Sequence, residues 1–339
     1  AAGMDCLRNF EREQVDGLYL ATTTSPYRER QGAEIAANAL DLRSDIRTSD
    51  FSNSTKAGTT ALVSACETVE TGSVKNLLLC ASDHRLGKSG SAQEQTYGDG
   101  AAAFLIGDSN VIATFKGSYS ISYDFAGHWR GESDKFDRAW EDRFIRDEGY
   151  TKFIPEAISG LLKKYELNIA DFAKVVYVCP YAREHAAIGK KLGIDPSRIQ
   201  DNMLTSVGDT GTAYPLMMLV TALEEAKSGD KILVAGFGNG SDALFFEVTD
   251  GIEKARDRRG IKEHLASKQD LDNYEKYINF RDMMVVEKGI RGEEIAFTQL
   301  STLWRERRVV LGLCGSKCKR CDTPQYPYNR VCVNPNCGA

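Results

Sequence analysis

Four cysteines near the C-terminus have the spacing of a metal site. Cys318 and Cys321 are separated by two residues; Cys332 follows after ten more, and Cys337 after a further four. A closely spaced pair presents two thiolates to one ion from a tight turn, and a second pair completes a tetrahedron. This pattern predicts a structural zinc ion, with iron as the rival metal. Cys314 is the alternative ligand, although a position at the end of a strand is the simpler role for it.

A site of four thiolates has no open coordination position, so it stabilises a fold and carries out no Lewis-acid chemistry. We therefore expect the metal to hold together a small zinc ribbon at residues 304–339. The reaction, if there is one, has to come from the rest of the chain.

Composition limits the classes of function that are open. The chain has 339 residues, 42% of them hydrophobic, which suits one large soluble domain with a small appendage. Its net charge of -5 argues against nucleic acid as the main partner. No apolar run approaches the roughly 18–20 residues of a membrane span, and neither end resembles a signal peptide. We expect a cytoplasmic protein whose other cysteines are small buried hydrophobes.

Residues 1–250 alternate short apolar segments with helical ones. Fully apolar strands of this kind are typical of an α/β protein whose sheets are covered on both faces. The predicted helices are Ala57–Val69, Phe153–Tyr165 and Gly211–Ala226. The predicted strands are Gly17–Thr22, Val74–Ser82, Ala101–Ile106, Val175–Cys179, Lys231–Phe237 and Ala243–Val248.

The same order of features occurs twice in this part of the chain. A helix that opens on small residues is followed by a glycine turn, an apolar strand, a glycine-rich loop and another strand, first from Ala57 and again from Thr210. Such self-similarity indicates two related halves.

The remainder of the chain changes in character. Residues 251–303 are rich in charge and sparse in apolar positions, which predicts a helical linker. The basic run Arg305-Glu306-Arg307-Arg308 then leads into Val309–Leu313, a predicted short strand before the ribbon. The chain opens as if in the middle of a helix and closes directly after Cys337, so we expect a fragment trimmed at both ends.

Several motifs resemble the thiolase-fold condensing enzymes, in particular the hydroxymethylglutaryl-CoA synthase branch. From about residue 295 onward, the chain resembles the DUF35-type proteins, which combine a zinc ribbon with an oligosaccharide-binding fold. This resemblance implies a duplicated, five-layered α-β-α-β-α core fused to a C-terminal zinc ribbon. The matching motifs are Thr24-Ser25-Pro26-Tyr27, Ala57-Gly58-Thr59-Thr60-Ala61-Leu62, Ala81-Ser82-Asp83, Tyr97-Gly98-Asp99-Gly100, Gly208-Asp209-Thr210-Gly211 and Gly236-Phe237-Gly238-Asn239-Gly240.

Members of that family perform Claisen chemistry on CoA thioesters. The resemblance implies a nucleophilic cysteine at the start of the central helix, assisted by a histidine, an asparagine and a glutamate. Each is replaced in this sequence. Ser54, Thr55 and Lys56 lie where the cysteine is expected, so Thr55 or Ser54 is the alternative nucleophile. Thr22-Thr23-Thr24 lies where the glutamate is expected, Asp209 replaces the asparagine, and His185 is the nearest histidine to the expected strand end.

We therefore take Thr55, His185 and Asp209 as the candidate catalytic residues. Thr23, Ser54, Lys56 and Gly238 are the candidate substrate-binding residues. The simpler role for Thr55 is that of a helix N-cap, and Cys66, well inside the central helix, is better explained as core.

Three functions stay open at this point. The first is an acyltransferase that acts on acyl-CoA by Claisen-type bond formation or cleavage. The second is a non-catalytic CoA-binding scaffold that organises a partner thiolase subunit. The third is chemistry without a covalent acyl-enzyme, such as decarboxylation or thioester hydrolysis. The resemblance also implies a homodimer in which the strand Val74–Ser82 pairs across the two-fold axis.

Overall fold

The structure is a computed structural model that describes residues 1–287, 289–290 and 298–339. The first half of the chain forms a four-stranded sheet in the order β2-β1-β3-β4. Strands β2 and β3 run parallel to β1, and β4 is antiparallel to β3. Leu77, Leu78 and Leu79 of β3 are all fully buried, because both faces of the sheet are covered. The strands are β1 (Gly17–Ala21), β2 (Arg47–Phe51), β3 (Asn76–His84) and β4 (Asp99–Gly107).

A second four-stranded sheet has the order β5-β10-β9-β8. Strand β8 is parallel to β9, whereas β10 is antiparallel to both β9 and β5. Its strands are β5 (Ala113–Ser122), β8 (Lys174–Tyr177), β9 (Lys231–Gly238) and β10 (Gly240–Val248). Between β5 and β8, the short strands β6 (His128–Trp129) and β7 (Arg138–Ala139) form a separate hairpin.

Helices form the other three layers. α3 (Ala57–Glu70) and α8 (Tyr214–Glu225) lie between the two sheets and contact strands of both. α1 (Ala2–Cys6) and α2 (Gly32–Ala39) cover the outer face of the first sheet. α6 (Thr151–Lys164) covers the second sheet, and α7 (Ala182–Lys191) packs on α6. The resulting order of layers is α-β-α-β-α, so the predicted fold class is confirmed.

The duplication is also visible in the structure. In the first half, α3 leads to β3 and then to its antiparallel neighbour β4; in the second half, α8 leads to β9 and then to β10.

The remaining α-helices of residues 1–250 are α4 (Ala92–Thr96) and α5 (Asp142–Phe144). α5 runs into α6 through a π-helical turn at Ile145–Tyr150.

Glycines let the start of α3 approach the second half of the chain. A Cβ at Gly58 would lie 2.0 Å from the carbonyl oxygen of Thr212, and one at Gly238 would lie 2.2 Å from Oγ of Ser54. Real Cβ atoms do not tolerate such distances, so only glycine permits this packing. It brings the first turn of α3 against the end of β9.

Two predictions about strands are wrong. Strand β3 is bonded to β1 on one side and to β4 on the other, so it has no free edge for a partner subunit. The segment Val309–Leu313 is not a strand, because Arg307–Val310 forms a helical turn. Strands β2 and β5 were not predicted.

After β10 the chain forms short helices and then the cysteine-rich module. A 3-10 helix at Asp250–Ala255 is followed by α9 (Gly260–Ala266), α10 (Tyr274–Phe280), α11 (Leu300–Arg305) and α12 (Arg307–Val310). Strands β11 (Ser316–Lys317) and β12 (Pro324–Gln325) pair in the module. Part of the predicted linker, and the start of the DUF35-like resemblance near 295, lie outside the described residues. No described helix has the length and apolar character needed to cross a bilayer.

Candidate functional site

A small cavity lies where the start of α3 meets the second half of the chain. It has about 10 Å³ of free space, enough for roughly one water molecule. Two of the predicted catalytic residues, Thr55 and Asp209, line it together. The other lining residues are Arg85, His128, Tyr150, Val178, Gly211, Tyr214, Pro215 and Phe237.

Thr55 is half-buried and lies two residues before α3. Its hydroxyl donates a hydrogen bond of 2.7 Å to the backbone carbonyl of Phe237. The N-cap of α3 is Lys56, and no side chain caps the helix. Thr55 is therefore not the N-cap of α3. Its hydroxyl instead links the start of the helix to β9.

The residues next to Thr55 serve packing and charge pairing. Oγ of Ser54 accepts a hydrogen bond from the N–H of Asn239, at the turn between β9 and β10. Nζ of Lys56 lies 3.1 Å from Oδ1 of Asp242, whose side chain is only 2% exposed. Thr60 also donates to that carboxylate. Lys56 thus completes a buried ion pair between α3 and β10, and Gly238 provides the close approach described above.

Both carboxylate oxygens of Asp209 are engaged. Oδ2 accepts a hydrogen bond of 2.9 Å from Nη1 of Arg85, and Oδ1 accepts one of 2.9 Å from the N–H of Gly211. The backbone of Asp209 also bonds to the chain on either side of Tyr97. The carboxylate is therefore fixed in place and paired with a cation.

Arg85 is the centre of a buried charge network. Its side chain is 3% exposed, and Nε lies 3.0 Å from Asp137. Its Nη2 donates to the hydroxyl of Tyr97, whose ring lies under the guanidinium. Arg130 also binds Asp137, at 2.8 Å, so two arginines face two aspartates. Burial alone would lower the pKa of Arg85; Asp209, Tyr97 and Asp137 outweigh it and raise the pKa.

The cavity also contains three titratable side chains that are uncharged, one histidine and two tyrosines. Burial, with a smaller contribution from Arg85, lowers the pKa of His128 to about 4, so its imidazole is neutral near neutral pH. Burial raises the pKa of Tyr150 and of Tyr214, so both keep their phenolic protons. The ring of Tyr150 stacks on Phe237 with centroids 3.8 Å apart. The cavity thus offers one proton acceptor and two phenolic hydroxyls beside Thr55.

His185 and Thr23 are not among the residues that line this cavity. The His185 ring stacks on Tyr177 at 4.4 Å, and Tyr177 donates to the His185 carbonyl. Thr23 lies just after β1, and its N–H donates to Asp83 at 2.7 Å. Asp83 is 2% exposed and also binds Thr212, which ties the first half to the second.

The four C-terminal cysteines lie together. Their sulfur atoms are all within 4.8 Å of one another, with Cys318–Cys337 at 3.8 Å and Cys321–Cys332 at 3.5 Å. A tetrahedron with Zn–S bonds of about 2.3 Å has edges of about 3.8 Å. The geometry is therefore compatible with a zinc ribbon.

Hydrogen bonds favour the thiolate at two of the four cysteines, Cys318 and Cys321, whereas the pKa values of Cys332 and Cys337 are raised, the latter mainly by burial. Backbone N–H groups of Arg320 and Asn334 lie 3.4 Å from the sulfur atoms of Cys318 and Cys332. Hydrogen bonds from Thr323 lower the pKa of Cys321 to about 6. The alternative ligand, Cys314, is not part of the cluster; its sulfur lies 3.5 Å from the carbonyl oxygen of Gly312.

Comparisons with known proteins agree with this architecture. Residues 162–244 match a family model described as 3-Oxoacyl-[acyl-carrier-protein (ACP)] synthase III C terminal. The hydroxymethylglutaryl-CoA synthase of Methanocaldococcus jannaschii is 30% identical over 272 residues, which cover 79% of each chain. That of Thermococcus onnurineus is 31% identical over 290 residues, covering 82% of this chain and 81% of the relative. The chain belongs to the hydroxymethylglutaryl-CoA synthase family.

Solved structures share the fold of this family member. An HMG-CoA synthase solved in complex with CoA superposes with a TM-score of 0.71 at 20% identity, over 81% of this chain and 76% of that one. MvaS in complex with 3-hydroxy-3-methylglutaryl coenzyme A gives a TM-score of 0.71 at 19% identity, over 88% and 82%.

Sequence reasoning for this hydroxymethylglutaryl-CoA synthase relative missed Arg85 and His128, which line the cavity, and Asp137, which pairs with Arg85 behind it. Arg85 follows β3 directly, and its position at the carboxyl end of a parallel strand could have pointed to it. His128 and Asp137 come from the β6–β7 hairpin segment, where no periodic pattern or motif identifies them.

His128→Asn is expected to weaken the loss of stability on acidification. An unfolded histidine titrates near 6.5, whereas burial and Arg85 lower the pKa of folded His128 to about 4. Between these values the unfolded chain binds a proton that the folded chain does not. Stability is therefore fully present above about pH 6.5 and falls as the pH approaches 4. Urea midpoints at pH 7 and pH 4.5 measure the difference.

The matched control for this experiment is His264→Asn, at an exposed position on α9. It should keep the pH dependence of the wild type. If His128→Asn also keeps it unchanged, the lowered pKa of His128 is wrong.

Proposed function

We propose that the chain binds CoA thioesters and forms or cleaves a carbon–carbon bond next to the thioester by Claisen-type chemistry. The observation that carries this proposal is the joint position of Thr55 and Asp209. Both line one cavity at the start of the central helix, where the resemblance places the acyl-accepting residue and its partner. Membership in the hydroxymethylglutaryl-CoA synthase family supports it, as do family structures solved with CoA and with a CoA thioester.

In this proposal the usual catalytic set is replaced and Thr55 accepts the acyl group. A bond forms between Oγ1 of Thr55 and the thioester carbonyl carbon, the C–S bond breaks, and CoA leaves as the thiol. The hydroxyl proton has to pass to a base, because a free hydroxyl is a weak nucleophile. His128 is neutral and lines the same cavity, so it suits this role and can return the proton to the leaving thiolate.

The hydrogen-bond donors at the cavity suit the oxyanion of such a reaction, with the charge of Arg85 balanced by its carboxylate partners. Arg85 lines the cavity with its guanidinium buried, and the first turn of α3 adds the partial positive charge of a helix N-terminus. Asp209 positions Arg85 through their ion pair and is a positioning residue in this scheme.

Thr55→Ala is expected to abolish an acyl adduct that the wild type forms with acyl-CoA, since the hydroxyls left in the cavity, those of Tyr150 and Tyr214, have raised pKa values and keep their protons. The mass of the intact protein, measured after incubation with acetyl-CoA and acetoacetyl-CoA, gives the readout. Thr55→Ser keeps the hydroxyl and should retain the adduct. Ser54→Ala is the matched control, because Ser54 is adjacent in sequence but does not line the cavity. Turnover without any adduct would favour the route that has no covalent acyl-enzyme.

A second candidate function is a non-catalytic CoA-binding scaffold for a thiolase partner subunit. Two observations favour it. The Thr55 hydroxyl donates a hydrogen bond to a backbone carbonyl, and the cavity has space for roughly one water molecule. An acyl group enters only if lining side chains move. Saturable CoA binding with neither adduct nor turnover would support this candidate over the enzyme.

We further propose that Cys318, Cys321, Cys332 and Cys337 hold one zinc ion and that the module is of the DUF35 type. The mutual proximity of the four sulfur atoms supports the metal. We place the protein in the cytoplasm, where its other thiols stay reduced. For the proposed homodimer, any pairing of strands between subunits would use an edge strand such as β2 or β4, since β3 is enclosed.

A further inference from the structure

A second, larger cavity lies between the short helices α11 and α12 and the cysteine-rich module. Its volume is about 520 Å³, which is ample for a small-molecule ligand. Three arginines in sequence proximity line it, together with one acidic residue and two hydroxyl-bearing residues. These are Arg305, Arg307, Arg308, Glu306, Ser316 and Tyr328.

The C-terminal module has a positive net charge, whereas the whole chain has a negative one. Residues 304–339 contain seven lysines and arginines and only two acidic residues, although the whole chain has a net charge of -5. Arg308 is neutralised, because both oxygens of Asp41 accept from it at 2.7 Å. This pair also fixes the module to the end of α2. Within the described ranges, Arg305 and Arg307 form no ion pair with a carboxylate. The cavity wall is therefore positive.

One polar group in the wall has no partner within the described part of the chain. Oγ of Ser316 is buried and makes no hydrogen bond. A buried hydroxyl without a partner is costly, so such groups usually bind a water or a ligand. Ser316 lines the same cavity as Arg305 and Arg307, and no group of the described residues competes for its hydroxyl proton.

Aromatic surface adjoins the positive wall. The Arg307 guanidinium lies 4.2 Å from the centre of the Trp304 ring, and Trp304 is 67% exposed. Tyr328, in the wall itself, is 51% exposed. Exposed aromatic faces beside arginines stack on nucleobases, while the guanidinium groups hold phosphates.

We propose that this cavity binds a nucleoside that carries two or more phosphate groups. Arg305 and Arg307 hold the phosphates, Ser316 adds a hydroxyl donor, and the base stacks on Trp304 or Tyr328. The same chemistry is present in a free nucleoside diphosphate and in the nucleotide end of CoA. The site is separate from the cavity at Thr55, with which it shares no lining residue.

The test is isothermal titration of the full chain, loaded with zinc, at about 50 and 150 mM salt. ADP is expected to bind saturably, pyrophosphate more weakly, and adenosine not at all, because the phosphates supply most of the affinity. The double variant Arg305→Ala/Arg307→Ala should bind ADP at least tenfold more weakly, since a hydrogen bond to a charged group contributes about 1.5–3 kcal/mol. Trp304→Ala should lose the preference for ADP over pyrophosphate.

The matched control is Lys319→Ala/Arg320→Ala, which removes the same charge from the module outside the cavity wall. It should bind ADP as the wild type does. CoA binding that competes with ADP and falls in the arginine variant would identify the nucleotide end of CoA as the source; ADP binding without competition would identify a free nucleotide. The proposal is overturned if no ligand binds saturably, or if both double variants lose the same affinity. The titration involves no turnover, so its failure leaves the Thr55 proposal standing.

Discussion

Cys318→Ser is expected to abolish zinc binding and to unfold the C-terminal module, while the two-sheet core stays folded. Structural zinc sites in small modules contribute on the order of 10 kcal/mol to folding. The module has little else to hold it. Its strands β11 and β12 are two residues each, and Cys337, at 9% exposure, is its one buried apolar residue in the described part of the chain. A domain with so small a core does not fold without a staple.

The core does not depend on the module in the same way. The buried residues of the two hydrophobic clusters all lie before residue 262, so loss of the metal leaves them in place. Elemental analysis should give about one zinc per wild-type chain and none in Cys318→Ser. Limited proteolysis should then cut the variant within residues 304–339, while the main thermal transition stays within a few degrees of that of the wild type.

Cys314→Ser is the control for this prediction, because it removes a cysteine that lies outside the cluster. Zinc content and protease resistance should be unchanged. A Cys318→Ser protein that keeps its zinc, or a Cys314→Ser protein that loses it, would show that the ligand set is different.

The parts of the fold that could be predicted are those in which sequence pattern and burial coincide. Strands β3 and β9 are apolar along their length because both faces are covered, and their prediction was accurate to about two residues. Strand β2 reads Arg-Thr-Ser-Asp-Phe and lies at a sheet edge, so it has no apolar run. Strand β5 is also an edge strand, and it alternates apolar and polar residues instead of forming an apolar run. A prediction based on continuous apolar runs therefore does not find either edge strand, although the alternation in β5 is itself a strand pattern.

The residues of the candidate site also fall into two groups, those that the sequence predicted and those that it did not. Thr55 and Asp209 could be identified because glycine-containing motifs mark both positions. Thr55 lies just before the motif that opens the central helix, and Asp209 lies within Gly208-Asp209-Thr210-Gly211. The two carboxylates that pair with Arg85, in contrast, are 52 and 124 residues away along the chain. No spacing rule connects Arg85 with Asp137 or Asp209, because their pairing depends on how the β6–β7 hairpin folds over the junction of the halves. The contents of the site therefore required the tertiary structure.

Arg85→Ala is expected to lower the free energy of unfolding by about 3–5 kcal/mol. The substitution leaves the buried carboxylate of Asp209 without its cation and deprives Asp137 of one of two. An isolated buried charge is far more costly than a buried pair is favourable, so the effect is large. Urea unfolding monitored by circular dichroism gives the measurement, at neutral pH and fixed salt.

Arg28→Ala provides the matched control, since Arg28 pairs with Glu132 and both side chains are mostly exposed. A surface pair of this kind contributes about 0–1 kcal/mol, so the control should be close to the wild type. If Arg85→Ala is equally mild, the carboxylates are not buried as described.

The double variant Arg85→Met/Asp209→Asn separates charge from packing. It removes both members of the pair, and Asp137 keeps Arg130 as its cation. Replacement of a buried ion pair by neutral groups of similar size is often neutral or favourable, so stability should recover most of the loss seen in Arg85→Ala. Recovery would show that the cost lies in the uncompensated carboxylate. Without recovery, the guanidinium must stabilise the junction by packing on Tyr97, whose ring lies 3.7 Å below it. The same protein also reports on function. With the fixed charges removed from beside Thr55, an acyl adduct that persists would assign acyl transfer to the hydroxyl, and one that disappears would assign the oxyanion role to Arg85.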